Sequence, residues 1–218
     1  MNPQVPARNP LIWVGLGLTA VLLSLAFLML HLQTHARFAK PLPVYGRVAD
    51  FTLTNQNGRA VSLADLRGRV WVADVIFTRC AGPCLKMSRQ MRDLQQSLSR
   101  ESRVKLVTLT TDPDFDTPSV LRTYSQRFDA DADRWMFLTG SKKALMDLEI
   151  GSLKLTAIEK KPEQRENPVD LFIHSTIFVI VDKQGQLRGV FETSGEGTNP
   201  GAVKSQVLEA AERLEREG

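Results

Sequence analysis

A twenty-residue segment without a single charged side chain, Leu11 to Leu30, most constrains what this chain can fold into. As an α-helix, a segment of this length is about 30 Å long, which matches the hydrocarbon thickness of a bilayer. A cleaved signal peptide would have a shorter apolar stretch, and the best cleavage candidate, Thr34-His35-Ala36, is a weak one. The sequence therefore predicts an uncleaved transmembrane helix over residues 11–32, after a short tail over residues 1–10.

The charges are distributed differently before and after this segment. Residues 1–40 carry three basic side chains and no acidic ones, whereas the other 178 residues carry 25 basic and 24 acidic side chains. Because the basic surplus flanks the apolar segment and forms no phosphate-binding face, nucleic acid is excluded as a partner. Arg8 precedes the segment and Arg37 and Lys40 follow it, so the positive-inside rule alone leaves its orientation open.

The rest of the chain is predicted to be a linker followed by one α/β domain. Residues 33–47 contain Pro41, Pro43 and Gly46 without a sustained period, which is typical of a linker. Alternating apolar residues and turn residues predict hairpins around Asn57-Gly58 and around Asp182 to Gly185. The other apolar patterns predict strands at 70–77, 104–109, 136–138 and 176–181 and helices at 85–98, 118–128, 142–148 and 201–214. This order predicts a central mixed sheet with helices on both faces over residues 48–216.

Residues 159–170 differ in composition from the rest of this domain. The segment contains four acidic and three basic side chains together with Pro162 and Pro168. Such a composition is typical of a solvated loop. We interpret it as a surface insertion, with a lid over a nearby site as the alternative.

The chain has only two cysteines, and both come directly after a predicted buried strand, where a helix begins. Unpaired N–H groups and the helix dipole stabilise a thiolate at such a position, and Arg79 and Lys86 add positive charge. We therefore expect a lowered pKa for Cys80 or Cys84. Their spacing allows either a disulfide or chelation of a soft metal ion. Two buried structural cysteines are the simpler alternative.

His174 is the only histidine after residue 35, and it immediately precedes a predicted buried strand. With Cys80 and Cys84 it would complete a trigonal site of two thiolates and one imidazole. Such a site suits Cu(I), whereas zinc prefers a fourth ligand. The CxxxC spacing also differs from the CxxC of thioredoxin-type exchange.

Four stretches of the sequence resemble the Sco (SenC or PrrC) family of copper-binding proteins of cytochrome oxidase assembly. They are Phe77–Cys84, Leu109–Pro118, Phe172–Thr176 and Val181–Gly185. Their order, and the 90-residue separation of Cys84 from His174, are similar to that family over residues 45–215. Two features depart from the family pattern: Leu85 follows the second cysteine, where the family usually has proline, and Ala-Gly-Pro separates the cysteines.

The resemblance implies a thioredoxin-like fold over residues 48–216 and copper held by Cys80, Cys84 and His174. Cu(I) is the expected form, and Cu(II) is an open alternative. It implies a single-pass protein of the bacterial inner membrane, with residues 1–10 in the cytoplasm and the domain in the periplasm. The implied partners are the lipid bilayer, subunit II of cytochrome c oxidase, which would receive copper at its Cu(A) centre, and other copper chaperones or thiol reductants.

Two functions stay open at this point. A metallochaperone, which we favour, binds copper and hands it over without turning over a substrate. A membrane-tethered thiol–disulfide oxidoreductase would instead act on cysteines of an oxidase subunit or of another periplasmic protein. His174 discriminates between the two, because exchange needs only the thiols. A thiol peroxidase is the weakest alternative, because the PxxxTxxC arrangement is missing before Cys80.

Overall fold

The computed structural model describes residues 10–39, 41–80, 82–165, 171–195 and 197–217. The chain divides into two compact units, Met1–Pro41 and Leu42–Gly218. The described part of the first unit is one helix, α1 (Pro10–Ala39). Its stretch Trp13–Leu30 has a mean hydropathy of 2.2 and is not buried, so α1 is long and apolar enough to cross a membrane.

Helix α1 continues beyond residue 32, where the sequence predicted its end. The helix therefore extends seven residues into the segment predicted as a linker, as far as Ala39, and the bounds of the membrane span and of the linker stay a prediction. The helix extends this far because no proline or glycine lies between Leu30 and Pro41, so nothing interrupts the helical hydrogen bonds before that proline.

The described residues of the second unit form ten strands and five α-helices. The strands are β1 (Gly46–Arg47), β2 (Thr52–Asn55), β3 (Ala60–Ser62), β4 (Trp71–Ile76), β5 (Lys105–Thr110), β6 (Trp135–Thr139), β7 (Ala157–Glu159), β8 (Phe172–His174), β9 (Ile177–Val181) and β10 (Gln186–Glu192). The helices are α2 (Leu63–Leu66), α3 (Pro83–Ser97), α4 (Pro118–Gln126), α5 (Lys142–Met146) and α6 (Pro200–Arg216).

Eight of the strands form one mixed sheet in the order β1-β10-β9-β4-β5-β6-β2-β3. Strands β4, β5 and β6 are parallel, and the other pairs are antiparallel. Strands β7 and β8 form a separate antiparallel pair. The carboxyl ends of the parallel strands therefore share one edge of the sheet, where β4 leads into the cysteine segment.

Strand β4 is buried along its whole length, as the continuous apolar run predicted. Val72 and Ile76 belong to a core that includes residues of α3, α4 and α6. Trp71 and Val75 belong to the core on the other face, with residues of α2 and α5. A central mixed sheet with helices on both faces is thus confirmed.

Both predicted hairpins are present, and two features of the domain were not predicted. Gly58 and Gly185 adopt φ values of 75° and 77° in the two turns, a conformation that glycine adopts without strain. The short helix α5 continues as a π-helical turn, Asp147–Ser152. The predicted loop 159–170 begins within β7 and contains a 3₁₀ turn, Pro162–Gln164. Its remaining residues, 166–170, lie outside the described residues, so neither the surface-insertion interpretation nor the lid is tested.

Candidate functional site

The two cysteines lie where β4 passes into α3, as predicted. Pro83 occupies the first turn of α3, which suits a residue without an N–H, and Cys84 follows it. The backbone N–H of Cys80 donates to the Phe77 carbonyl over 3.1 Å, which forms a tight turn after the strand. Both side chains are buried: Cys80 is 8% exposed and Cys84 is fully buried.

The thiols of Cys80 and Cys84 contact each other, and this contact changes the pKa of Cys84. Burial raises the pKa of the Cys84 thiol well above its usual range, and the hydrogen bond with Cys80 raises it further. The prediction of a lowered thiol pKa is therefore wrong for Cys84. The helix start favours a thiolate, but the cost of placing a charge in an apolar core is larger.

Asp116 holds the segment before Cys80 in place. Its carboxylate accepts hydrogen bonds from the Thr78 backbone N–H, over 3.1 Å, and from the hydroxyls of Thr78 and Thr110. Asp116 is fully buried, and burial raises the pKa of its carboxyl, against the lowering effect of these hydrogen bonds. The carboxylate thus joins the end of β5 to the turn that carries Cys80.

Arg79, which is adjacent to Cys80 in the sequence, forms an ion pair with Asp112. Its Nε donates to Asp112 Oδ2 over 3.2 Å, and its second guanidinium nitrogen donates to the same oxygen. The guanidinium also lies over the Phe115 ring, 4.3 Å from its centroid. Arg79, which we expected to stabilise a thiolate, therefore connects the cysteine turn to the segment after β5.

The backbone of His174 lies near the edge of the sheet that carries the cysteines. His174 ends β8, where it pairs with Ala157 of β7. Two residues earlier, the Phe172 ring packs against the Phe77 ring with centroids 5.1 Å apart. The side chain of His174 lies outside the described part of the structure. Among the side chains that are described, no group of three His, Cys, Asp or Glu residues is placed to hold a metal.

A buried chain of polar side chains that begins at Asp74 was not predicted. Asp74 of β4 accepts a hydrogen bond from the Thr108 hydroxyl over 2.6 Å, and Thr108 accepts one from Trp135 Nε1 over 2.9 Å. The charge of Asp74 contributes to the raised pKa of Cys84. The signal was available in the sequence, because Asp74 is the only charged residue within the apolar run of β4.

Comparison with known proteins identifies the family of this domain. The family model described as SCO1/SenC matches residues 44–210, which is most of the chain. The chain belongs to the SCO1/SenC family. A relative, the SCO1 protein homolog of Bacillus subtilis, is 37% identical over 147 residues, or 66% of this chain and 73% of that protein. The resemblance drawn from the four sequence stretches is thus confirmed.

Solved structures of Sco proteins share the fold. BsSco, described as a Sco-family cytochrome c oxidase assembly protein with a disulfide switch, has a TM-score of 0.64 at 34% identity, over 79% of this chain and 98% of that chain. Copper-bound ScoI of Bradyrhizobium japonicum has a TM-score of 0.62 at 19% identity, over 75% and 99% of the two chains. The predicted thioredoxin-like fold is therefore confirmed for this Sco-family domain.

Proposed function

We propose that this Sco-family protein binds copper and delivers it to the Cu(A) centre of cytochrome c oxidase subunit II. The observation that carries the proposal is the buried contact between the Cys80 and Cys84 thiols at the end of β4. Thiolates are soft ligands that select Cu(I), and two of them on one turn form a preorganised chelate. Sco proteins of known structure bind copper, and BsSco belongs to an oxidase assembly family.

We assign the third ligand to His174. Its strand adjoins the cysteine segment through the Phe172–Phe77 ring contact. An imidazole added to two thiolates gives three donors, which suit Cu(I). Cu(II) is a second form that the same three residues would hold during delivery.

Because the pKa of Cys84 is raised, copper binding at this site is coupled to the loss of a proton. The Cys84 thiol stays protonated in the absence of metal, so copper binding requires it to release its proton. Copper affinity should therefore rise with pH. Cys80 is the more exposed of the two thiols and is the ligand that a recipient protein can reach first. Asp116 and Arg79 keep its turn fixed while copper is exchanged.

A second function, thiol–disulfide exchange, uses the same pair. The contact between the two thiols favours it, and a disulfide switch is described for BsSco. In this reaction Cys80 and Cys84 would lose two electrons and two protons as they form a disulfide, and a disulfide of the client protein would be reduced to two thiols. His174 has no necessary part in that exchange.

We further propose that α1 anchors the protein in the bacterial inner membrane as a single span, with residues 1–10 in the cytoplasm. The domain would then lie in the periplasm, where it would meet the oxidase subunit and other copper chaperones or thiol reductants. The length and apolar composition of α1 support this arrangement.

Copper titration of the reduced full-length protein in detergent tests the proposed function. We expect one Cu(I) per chain and the loss of two thiols reactive toward a disulfide reagent. A protein that reduces and reoxidises normally but binds no copper would reject the chaperone function and leave thiol exchange.

A further inference from the structure

A basic pocket lies at the edge of the sheet opposite the cysteines. It has a volume of about 450 Å³, and its cationic lining residues are Arg69, Arg103 and Lys183. Arg69 precedes β4 and Arg103 precedes β5, so the parallel pairing places both at the amino ends of these strands. Lys183 follows β9, which runs antiparallel to β4 and ends at the same edge. We call this site the basic pocket.

Positive charge in the basic pocket is only partly balanced. Among the described residues that line it, the one acidic side chain is Glu215, which already accepts hydrogen bonds from the Arg103 backbone N–H over 2.7 Å and from Ser102 Oγ over 3.0 Å. Within the described residues, neither the Arg69 nor the Arg103 guanidinium makes an ion pair. Such guanidinium groups are suited to bind a phosphate oxygen.

Neighbouring cations strengthen the positive potential beside the basic pocket. Burial lowers the pKa of Lys105, and the charge of Arg69 lowers it further, with a smaller effect from Arg134. Asp131 and Asp133 oppose these effects but do not cancel them. An anion at this edge would therefore be attracted by several cations at once.

The chain enters the domain at the same edge. Leu42 is the first residue of the second unit, and its carbonyl accepts a hydrogen bond from Arg188 over 2.8 Å. Arg188 also pairs with the Glu217 carboxylate over 2.9 Å, and the Glu217 carbonyl accepts a hydrogen bond from Lys183 over 3.3 Å. Three successive contacts thus connect the entry point to the basic pocket.

The cysteines lie at the other end of the same strand. Strand β4 has six residues and is therefore about 20 Å long. Val70 of the basic pocket precedes its first residue, and the turn that carries Cys80 follows its last. A surface that contacts the basic pocket would leave the cysteine edge facing away from it.

We propose that the basic pocket binds the phosphate group of an anionic membrane lipid and thereby directs the cysteine pair away from the bilayer. The proposal rests on the proposed membrane anchor. We assign the phosphate to a lipid rather than to a soluble anion because the apolar stretch Trp13–Leu30 ends only twelve residues before the domain begins at Leu42. A connection of this length allows the domain to reach the membrane surface, where anionic headgroups attract Lys and Arg side chains.

Amide hydrogen exchange of the full-length protein in lipid nanodiscs tests the proposal. We expect the amides of Gly68 and Arg103 to exchange on the order of tenfold more slowly in phosphatidylcholine–phosphatidylglycerol discs than in phosphatidylcholine discs. Residues 112–117, at the cysteine edge, should exchange equally in both. The protection should disappear at high salt and in the Arg69→Gln/Arg103→Gln variant, and should persist in Arg89→Gln, which removes an exposed charge from α3.

Three outcomes would overturn the lipid assignment, and they are distinguishable. Equal exchange in the two kinds of disc would reject anionic lipid as the ligand. Full protection in phosphatidylcholine discs after addition of inorganic phosphate would assign the basic pocket to a soluble anion. Failure of the chain to incorporate into either disc would reject the membrane anchor and with it this inference, while copper binding by the same sample would leave the chaperone function standing.

Discussion

Asp116 accepts hydrogen bonds from both the backbone N–H and the hydroxyl of Thr78, two residues before Cys80. This contact joins two stretches of the chain that lie 38 residues apart. Because Asp116 is buried, each lost hydrogen bond would leave an unsatisfied donor in the core. The shape of the cysteine turn therefore depends on Asp116, a residue outside that turn.

Replacing Asp116 by alanine should destabilise the domain and weaken copper binding. We expect a loss of about 1–3 kcal/mol in the free energy of unfolding, because the donors of Thr78 and Thr110 lose their acceptor. Urea denaturation measures the stability, and competition against a Cu(I) chelator measures the affinity. Asp114→Ala is the matched control, since Asp114 is exposed in the same segment. Equal stability of the two variants would contradict the role given to Asp116.

The two thiols should differ in reactivity. Cys80 is 8% exposed, whereas Cys84 is fully buried and its pKa is raised, so an alkylating reagent should modify Cys80 first. The comparison uses Cys84→Ser, which retains Cys80, and Cys80→Ser, which retains Cys84, with rates measured against pH. Cys84, the thiol that remains in Cys80→Ser, should react more slowly at every pH tested than Cys80 does in Cys84→Ser. Faster alkylation of Cys84 would show that burial does not control access.

Local patterns predicted the sheet, the hairpins and the position of the cysteines, because burial and turn chemistry are properties of short segments. A lowered thiol pKa was predicted for Cys80 or Cys84, and it is wrong for Cys84, because the burial of Cys84 depends on residues of α3 and α4 packing over β4, which no local pattern reports. The pairing of Arg79 with Asp112 also joins distant segments. Strands β7 and β8 were not predicted for a similar reason, since each has three residues and, among the described strands, they pair only with each other.

Glu149 should make the stability of the domain depend on pH. It is 1% exposed, its Oε1 makes no hydrogen bond within the described structure, and burial raises its pKa well above the usual range. Above the usual pKa of glutamate the unfolded chain releases this proton while the folded chain keeps it. The free energy of unfolding therefore falls as the pH rises toward the folded-state pKa.

Replacing Glu149 by methionine should remove this pH-dependent cost. We expect the variant to gain about 1–3 kcal/mol at pH 7 and to gain less near pH 4, where glutamate is protonated in both states. Thermal unfolding followed by circular dichroism at the two pH values measures the difference. The control is Glu163→Met, at a residue that is exposed in the 3₁₀ turn. An equal gain at both pH values would show that ionisation of Glu149 has no part in the effect.

The anchor should retain the intact protein in membranes through alkaline carbonate washing. Helix α1 contains an uncharged apolar stretch that is long enough to span the hydrocarbon layer. Carbonate does not extract a protein that is held in the bilayer by such a helix. Fractionation followed by mass determination of the amino terminus measures both retention and cleavage. Recovery in the aqueous fraction, or an amino terminus beyond Ala36, would reject the uncleaved anchor.

Cu(I) affinity of the His174→Ala variant tests the three-ligand site most directly. Loss of a residue that only orients a metal ligand typically weakens binding by about 10–100-fold, so loss of a ligand should weaken it by about 100-fold or more. Affinity is measured by competition against a Cu(I) chelator at fixed pH, with His35→Ala, outside the domain, as the control. The account predicts weak copper binding by a folded His174→Ala protein whose cysteines still oxidise and reduce. Unchanged Cu(I) affinity in that folded variant would contradict it and would favour thiol–disulfide exchange.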